Sequence, residues 1–153
     1  MSRTVVQALA GATLAVSAVI PETYDQAGYE STDLVFTAVG EIEDHGSHGV
    51  NATITEFTPV DTAVVAKVKG SKNYGSKSLV IGNLPSNAGQ AILKAASEST
   101  SHYSVKVTYP DGVVHYLDVL VASFEYRAGQ VNDVQKIGVT LAICQPPVVV
   151  AAP

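Results

Sequence analysis

The chain has 153 residues, 46% of them hydrophobic and 15% charged, with a formal net charge of −5. That length suffices for one domain with a sizeable core, and the acidic balance argues against a protein that grips nucleic acid, because phosphate neutralisation needs clustered Lys and Arg. The charged share is low against the usual ~25%, so uncharged polar residues or further copies of the chain must cover much of the surface, and self-association is expected.

The N-terminal twenty residues carry Arg3, an Ala-rich apolar stretch and small residues near Ala18, a loose likeness to a secretory signal. Gln7, Gly11, Thr13 and Ser17 interrupt the stretch, which is too short to span a membrane. The reading preferred here is an N-terminal arm (1–11) leading into a strand near 12–20. Residues 21–29 are polar and turn-rich and read as a loop. Residues 33–39 form a short strand, and residues 40–49, with three glycines and a run of polar side chains, read as a second loop. Residues 50–57 alternate in the manner of a strand. Thr58-Pro59 interrupts them, 62–69 look extended, and 70–77 read as a mobile basic loop. Residues 78–82 resume a strand.

The period then changes. Asn87 or Ser86 is placed to cap a helix over about 86–97, with Gln90 three residues beyond Asn87 as in a capping box. Ile92, Leu93 and Ala96 share one helical face.

Residues 102–144 read as a three-strand antiparallel meander, the stretch around which the chain is organised. Tyr103, Val105, Val107 and Tyr109 alternate with polar neighbours. Pro110-Asp111-Gly112 supplies a turn. Residues 113–126 form a long β-branched run, about 46 Å of strand at ~3.3 Å per residue, and Ala128-Gly129-Gln130 breaks it. Residues 131–143 return with Ile137, Val139, Leu141 and Ile143 on one face. Cys144 is the only cysteine, so no intrachain disulfide forms, and it reads as a small, half-buried hydrophobe. The C-terminal arm (145–153) opens with two prolines and is extended, packed either on its own domain or, the preferred reading, on a neighbouring copy. The fold class is therefore mainly β: a β-sandwich or open barrel of about seven to eight strands with one flanking helix, all in a single domain spanning 1–153.

Motifs for catalysis are weak. His45 and His48, with Glu41, Glu43 and Asp44, have the residue types of a metal site, but a solvated glycine-rich loop accounts for them. Asp61, Asp111 and Asp118 lack a G-x-S-x-G partner. No phosphate-binding glycine motif occurs. We assign no catalytic residue, no cofactor and no metal, and expect no enzyme. Lys67, Lys69, Lys72 and Lys77, with Tyr74, form a basic group suited to an acidic surface of a neighbouring subunit.

The order of features in SLVIGNLPSNAGQAILKAASES and HYSVKVTYPDGVVHYLDVLVASFEYRAGQVNDVQKIGVTLAICQPP resembles the tail tube, or major tail, proteins of long flexible-tailed bacteriophages such as lambda. Tyr103, Val105, Tyr109, Pro110, Asp111, Gly112 and Phe124 carry the likeness, which covers about half the chain; the N-terminal half matches in outline only, and no immunoglobulin-like C-terminal domain follows.

The resemblance implies a structural virion protein made in the host cytoplasm. Six copies would close a ring, and rings would stack into a tube that conducts DNA during ejection without binding it specifically. Tape measure, tail terminator and tail tip proteins would be its partners, and no membrane is involved. The long loop at about 58–77 would be the inter-ring loop, bearing Lys67, Lys69, Lys72, Tyr74 and Lys77. Six copies at −5 would carry about −30 per ring, with Glu41, Glu43, Asp44, Asp118 and Glu125 as candidates for an acidic lumen or interface. The competing readings are a secreted or surface-exposed β-sandwich binding module and a small hydrolase or metal enzyme built on His45 and His48.

Overall fold

The computed structural model describes Val6, residues 8–127 and residues 129–152. Residues 1–5 and 7 of the expected N-terminal arm, Ala128 of the expected break and Pro153 of the expected C-terminal arm lie outside the described residues. The elements in chain order are β1 (Thr13–Ser17), α1 (Gln26–Tyr29), β2 (Thr37–Val39), β3 (Ile42–Asp44), β4 (Asn51–Phe57), β5 (Ala66–Asn73), β6 (Ser76–Gly82), α2 (Ala88–Ser97), β7 (Tyr103–Thr108), β8 (Val114–Arg127), β9 (Lys136–Ile143) and β10 (Val148–Val150).

Eight strands form one antiparallel sheet in the order β2-β1-β7-β8-β9-β6-β3, with β10 added to β8. The meander is present as β7, β8 and β9, and β8 runs for 14 residues. Its length lets it serve three partners: β7 along one side, β9 over Val119–Arg127 and β10 over Val114–Tyr116 on the other. The mainly β, open-barrel class holds, and the strands beyond the expected seven to eight are short. One of them, β3, lies inside the stretch 40–49 that reads as a loop.

The alternation of the strands builds the core. Val105 and Val107 of β7, Leu117 and Val119 of β8, and Val139 and Leu141 of β9 are all buried with Leu14, Val16, Leu79 and Ile81 against Leu93 and Ala96 of α2. Each such side chain contributes about 1.5–3 kcal/mol on burial. The other face of β8 is covered too. Tyr29 stacks on Tyr116 with ring centroids 5.1 Å apart and planes 13° from parallel, and Leu34, Phe36, Val148 and Val150 complete that smaller cluster. The segment read as a polar loop is thus a cover: Asp25 caps the four-residue α1, its Oδ1 accepting from Gly28 N at 2.8 Å, and presents Tyr29 inward.

Helix α2 begins where the sequence places it. Asn87 Oδ1 accepts from Gln90 N at 3.0 Å. The Gln90 side chain does not return to close the capping box. It is buried, accepts from Leu84 N at 3.1 Å and donates to Gly40 O at 3.1 Å and Gly82 O at 2.9 Å. These bonds span a seam. The path of the main sheet starts at β2 and ends at β3, yet only Gly40 and Glu41 separate those strands in sequence. The sheet has curled until two residues bridge its end strands, which do not pair with each other. Glu41 makes the junction with φ 61°, a left-handed conformation uncommon outside glycine, and its carbonyl accepts from Gly82 N at 2.7 Å. Gly89 lets α2 lie directly on β2, since a Cβ there would stand 2.3 Å from Ala38 O.

Three further boundaries differ from the sequence reading. Residues 70–77 are not a mobile loop: β5 continues to Asn73 and β6 starts at Ser76, joined through Gly75 at φ 71°. The returning strand starts at Lys136 rather than 131. The C-terminal arm pairs on its own domain at 148–150, where the sequence reading favoured a neighbour. Between Ile143↔Val119 and Val148↔Tyr116, residues 144–147 bulge past residues 117–118. Pro146 and Pro147, which have no N–H to give a ladder, sit in that bulge.

Candidate functional site

Strands β4 and β5 form a two-stranded sheet of their own, hydrogen-bonded to no other strand among the described residues. Ile54 and Thr55 favour extended backbone, and the register pairs Phe57 with Ala66, Glu56 with Lys67, Thr55 with Val68 and Ile54 with Lys69. The tip is folded on itself, Ala63 N donating to Pro59 O at 2.9 Å. Every residue of β5 is exposed, and six of the seven in β4. Phe57 is 64% exposed and Val60 completely so, and Ile54, Val64, Val65 and Val68 are each at least half exposed. An isolated hairpin is marginally stable in water, and contiguous exposed apolar surface with free strand edges marks a contact surface.

Lys67, Lys69 and Lys72 lie on β5 and are exposed. Tyr74 is half-buried and packs against the main core. Lys77 is a correction: on β6 it is 1% exposed and cannot belong to an exposed loop. Its alternation with Leu79 and Ile81 turns it inward. The Lys77 ammonium lies 3.3 Å from His48 Nδ1, and His48 Nε2 lies 2.8 Å from His115 Nδ1. A charged lysine only donates, so His48 carries its proton on Nε2 and gives it to His115. Burial lowers the Lys77 pKa to about 8. Burial, then the neighbouring Lys77 charge and His115, lowers that of His48 to about 4. His115 and His45 are lowered likewise, by burial first and by Lys77 next. An ammonium beside these rings repels a divalent cation, and His45 and His48 belong to no group of three close metal-ligating atoms among the described residues.

The five carboxylates do not come together in one wall. Glu41 is exposed at the seam, Glu43 is paired with Lys136 at 2.8 Å, and Asp44 Oδ1 accepts from Gly46 N at 2.8 Å. Glu125 is exposed on β8, three strands from β3. Asp118 is a second correction. It has no exposed surface and therefore lines no lumen. Its Oδ2 accepts from His102 Nδ1 at 3.1 Å, and burial raises its pKa more strongly than His102 lowers it. The sequence carried a sign of this, an aspartate in the middle of a long apolar strand.

No protein-family model matches the sequence, and no curated protein matches it. Solved structures do. A chain of the anti-feeding prophage baseplate is similar with a TM-score of 0.67 at 12% identity, covering 99% of this chain and 98% of its own. A chain of the sheath/tube terminator of an extracellular contractile injection system gives 0.65 at 9%, covering 98% and 100%. The SPP1 tail tube protein gives 0.61 at 14%, covering 90% of this chain and 75% of its own. With 90% or more of the chain superimposed in each case, its fold is shared with these components of phage tails and contractile injection systems.

Proposed function

We propose that this chain is a structural, non-catalytic subunit of a phage-like tail, which closes six-fold rings with copies of itself and stacks them into a tube for DNA passage. The observation that carries the reading is the β4–β5 hairpin, whose faces and edges the subunit leaves uncovered although they are apolar and ready to pair. A ring or tube covers such a surface with the next copy. In this reading Lys67, Lys69 and Lys72 meet an acidic face of the adjoining ring, with Glu41 and Glu125 among the exposed carboxylates available to meet them or to line the lumen. Tape measure, terminator and tip proteins bound the tube. The subunit works in the assembled virion or tail particle. The similar anti-feeding prophage baseplate was solved as a 6-fold symmetrised assembly, which fits the ring number proposed.

Negative-stain electron microscopy with sedimentation tests the reading. Wild-type protein at high concentration is expected to give hollow tubes or stacked rings with six-fold end views. Asn51 and Asn73 face each other at the base of the hairpin, so residues 52–72 are replaceable by an Asn-Gly turn. This variant is expected to keep its circular dichroism and to lose stacking. Normal tubes from it, or a wild type that stays monomeric even when seeded with tail tips, would refute the proposal.

A further inference from the structure

The second face of the main sheet holds a polar group that the tube reading does not use. His102 stands just before β7, Asp118 lies mid-way along β8, and Cys144 follows β9 directly. The sheet sets them side by side: Ser104 is opposite Asp118, which puts His102 diagonally across from it, and Cys144 N donates to Asp118 O at 2.8 Å. The metal-ligating atoms of the three side chains all lie within 4.8 Å of one another. Asp118 Oδ2 is 3.1 Å from His102 Nδ1. Asp118 Oδ1, fully buried, has no hydrogen-bond partner among the described residues. A buried carboxylate oxygen left without a donor is costly, and its carboxylate is a member of this group.

We propose that His102, Asp118 and Cys144 bind a divalent transition metal of the zinc type, with one imidazole nitrogen, one carboxylate oxygen and one thiolate sulfur as ligands and water in the fourth position. Bonds of about 2.0–2.3 Å in a tetrahedron place ligand atoms roughly 3.3–3.8 Å apart, which these side chains reach by closing about 1 Å. The mixed nitrogen, oxygen and sulfur set excludes magnesium and calcium, which take oxygen ligands, and suits zinc. Charge agrees with burial: a dication with one carboxylate, one thiolate and a neutral imidazole forms a neutral unit, whereas the carboxylate alone is a buried anion facing a half-exposed histidine. The side chain of His102 leaves a path for the ion. Such a metal would tie the start of β7, the middle of β8 and the turn into the C-terminal arm together.

The test uses the full chain and the metals alone, after treatment with a chelator. Co2+ is expected to bind with about one equivalent per chain and to give both a thiolate-to-cobalt charge-transfer band and the intense visible absorption of a tetrahedral ion. Zn2+ displaces it. Cys144→Ser removes the charge-transfer band, and His102→Ala and Asp118→Asn each weaken binding by at least about tenfold, with folding checked by circular dichroism. Wild-type protein supplies a readout that needs no variant: Zn2+ slows alkylation of Cys144, the only thiol in the chain. Wild-type protein that shows no charge-transfer band with excess Co2+, or that alkylates at the same rate with and without Zn2+, overturns the proposal. A folded Cys144→Ser variant that holds Zn2+ as tightly as wild type does so too. Assembly is not a readout here, so the outcome is separate from that of the tube.

Discussion

The ammonium of Lys77 lies 3.3 Å from Nδ1 of His48, inside the domain rather than on its surface. The pair has a definite pH signature. Both groups have depressed folded pKa values, so the stability each contributes is full above its unfolded pKa and lost as pH falls through the folded one. For His48 the window runs from 6.5 down to about 4. Wild type is expected to lose on the order of 1–2 kcal/mol more than His48→Gln across that window, after allowance for the part of the ring that solvent reaches. Urea denaturation at pH 4 to 7 measures it; parallel curves for the two proteins would contradict the expectation.

For Lys77 the window lies higher, between 10.5 and about 8. Below it the lysine is charged in both states and the full cost of burying the ammonium is present. Lys77→Met is therefore expected to be more stable than wild type at pH 7 by about 1–2 kcal/mol, the lost bond to His48 offsetting part of the gain. The difference should shrink as pH rises from 8 to 10.5. Thermal melts over that range follow it.

Gln90 holds the seam. Gln90→Ala removes its bonds to Leu84 N, Gly40 O and Gly82 O and leaves partly buried backbone groups short of a partner, so it should cost about 1–3 kcal/mol. A midpoint in urea unchanged from wild type would show that the seam closes without it.

Tyr29 combines a stacked ring with a hydroxyl that is buried and has no hydrogen-bond partner. Tyr29→Phe keeps the ring and removes the oxygen, and is expected to leave stability unchanged or raise it by up to about 1 kcal/mol. Tyr29→Ala should cost about 3–5 kcal/mol. The two variants together, measured by denaturation, separate the ring from its hydroxyl.

Lys67, Lys69 and Lys72 are exposed on β5. Changing all three to Glu should leave the melting temperature of the subunit within about 2 °C of wild type, because exposed charges contribute little. Under the tube proposal it should raise the protein concentration needed for assembly, and by less in high salt. Sedimentation across a salt series reads both effects.

The strands that alternate could be read from the sequence. Val105 and Val107, and Ile137, Val139 and Leu141, pointed inward as their period of two requires, and Asn87 caps α2 as its position predicts. What stayed hidden depends on partners far along the chain. Nothing local to Gln26-Ala27-Gly28-Tyr29 says that Tyr29 will stack on Tyr116. Gln90 was visible as a helix-start residue, but its bond to Gly40 exists only once the sheet has curled. Lys77 and Asp118 were misplaced for a different reason. Each is charged, and charge was given more weight than phase, although Lys77 alternates with Leu79 and Ile81 and Asp118 interrupts an apolar strand. Of the candidate surface, Lys67, Lys69 and Lys72 are exposed, on a hairpin rather than in a loop.

Gly40 and Glu41 have a kinetic consequence. Two residues join the strands at opposite ends of the main sheet, so closing it demands almost no loop entropy once the sheet has formed. The larger loop-closure cost falls on the pairing of β1 with β7, Leu14 against Val107, which lie 93 positions apart. A chain emerging from the ribosome exposes the free edge of β1 long before its partner β7 is made. Until then it must avoid pairing with the same edges of its siblings, and the fold depends on the order in which its edges are covered as well as on how well they finally fit.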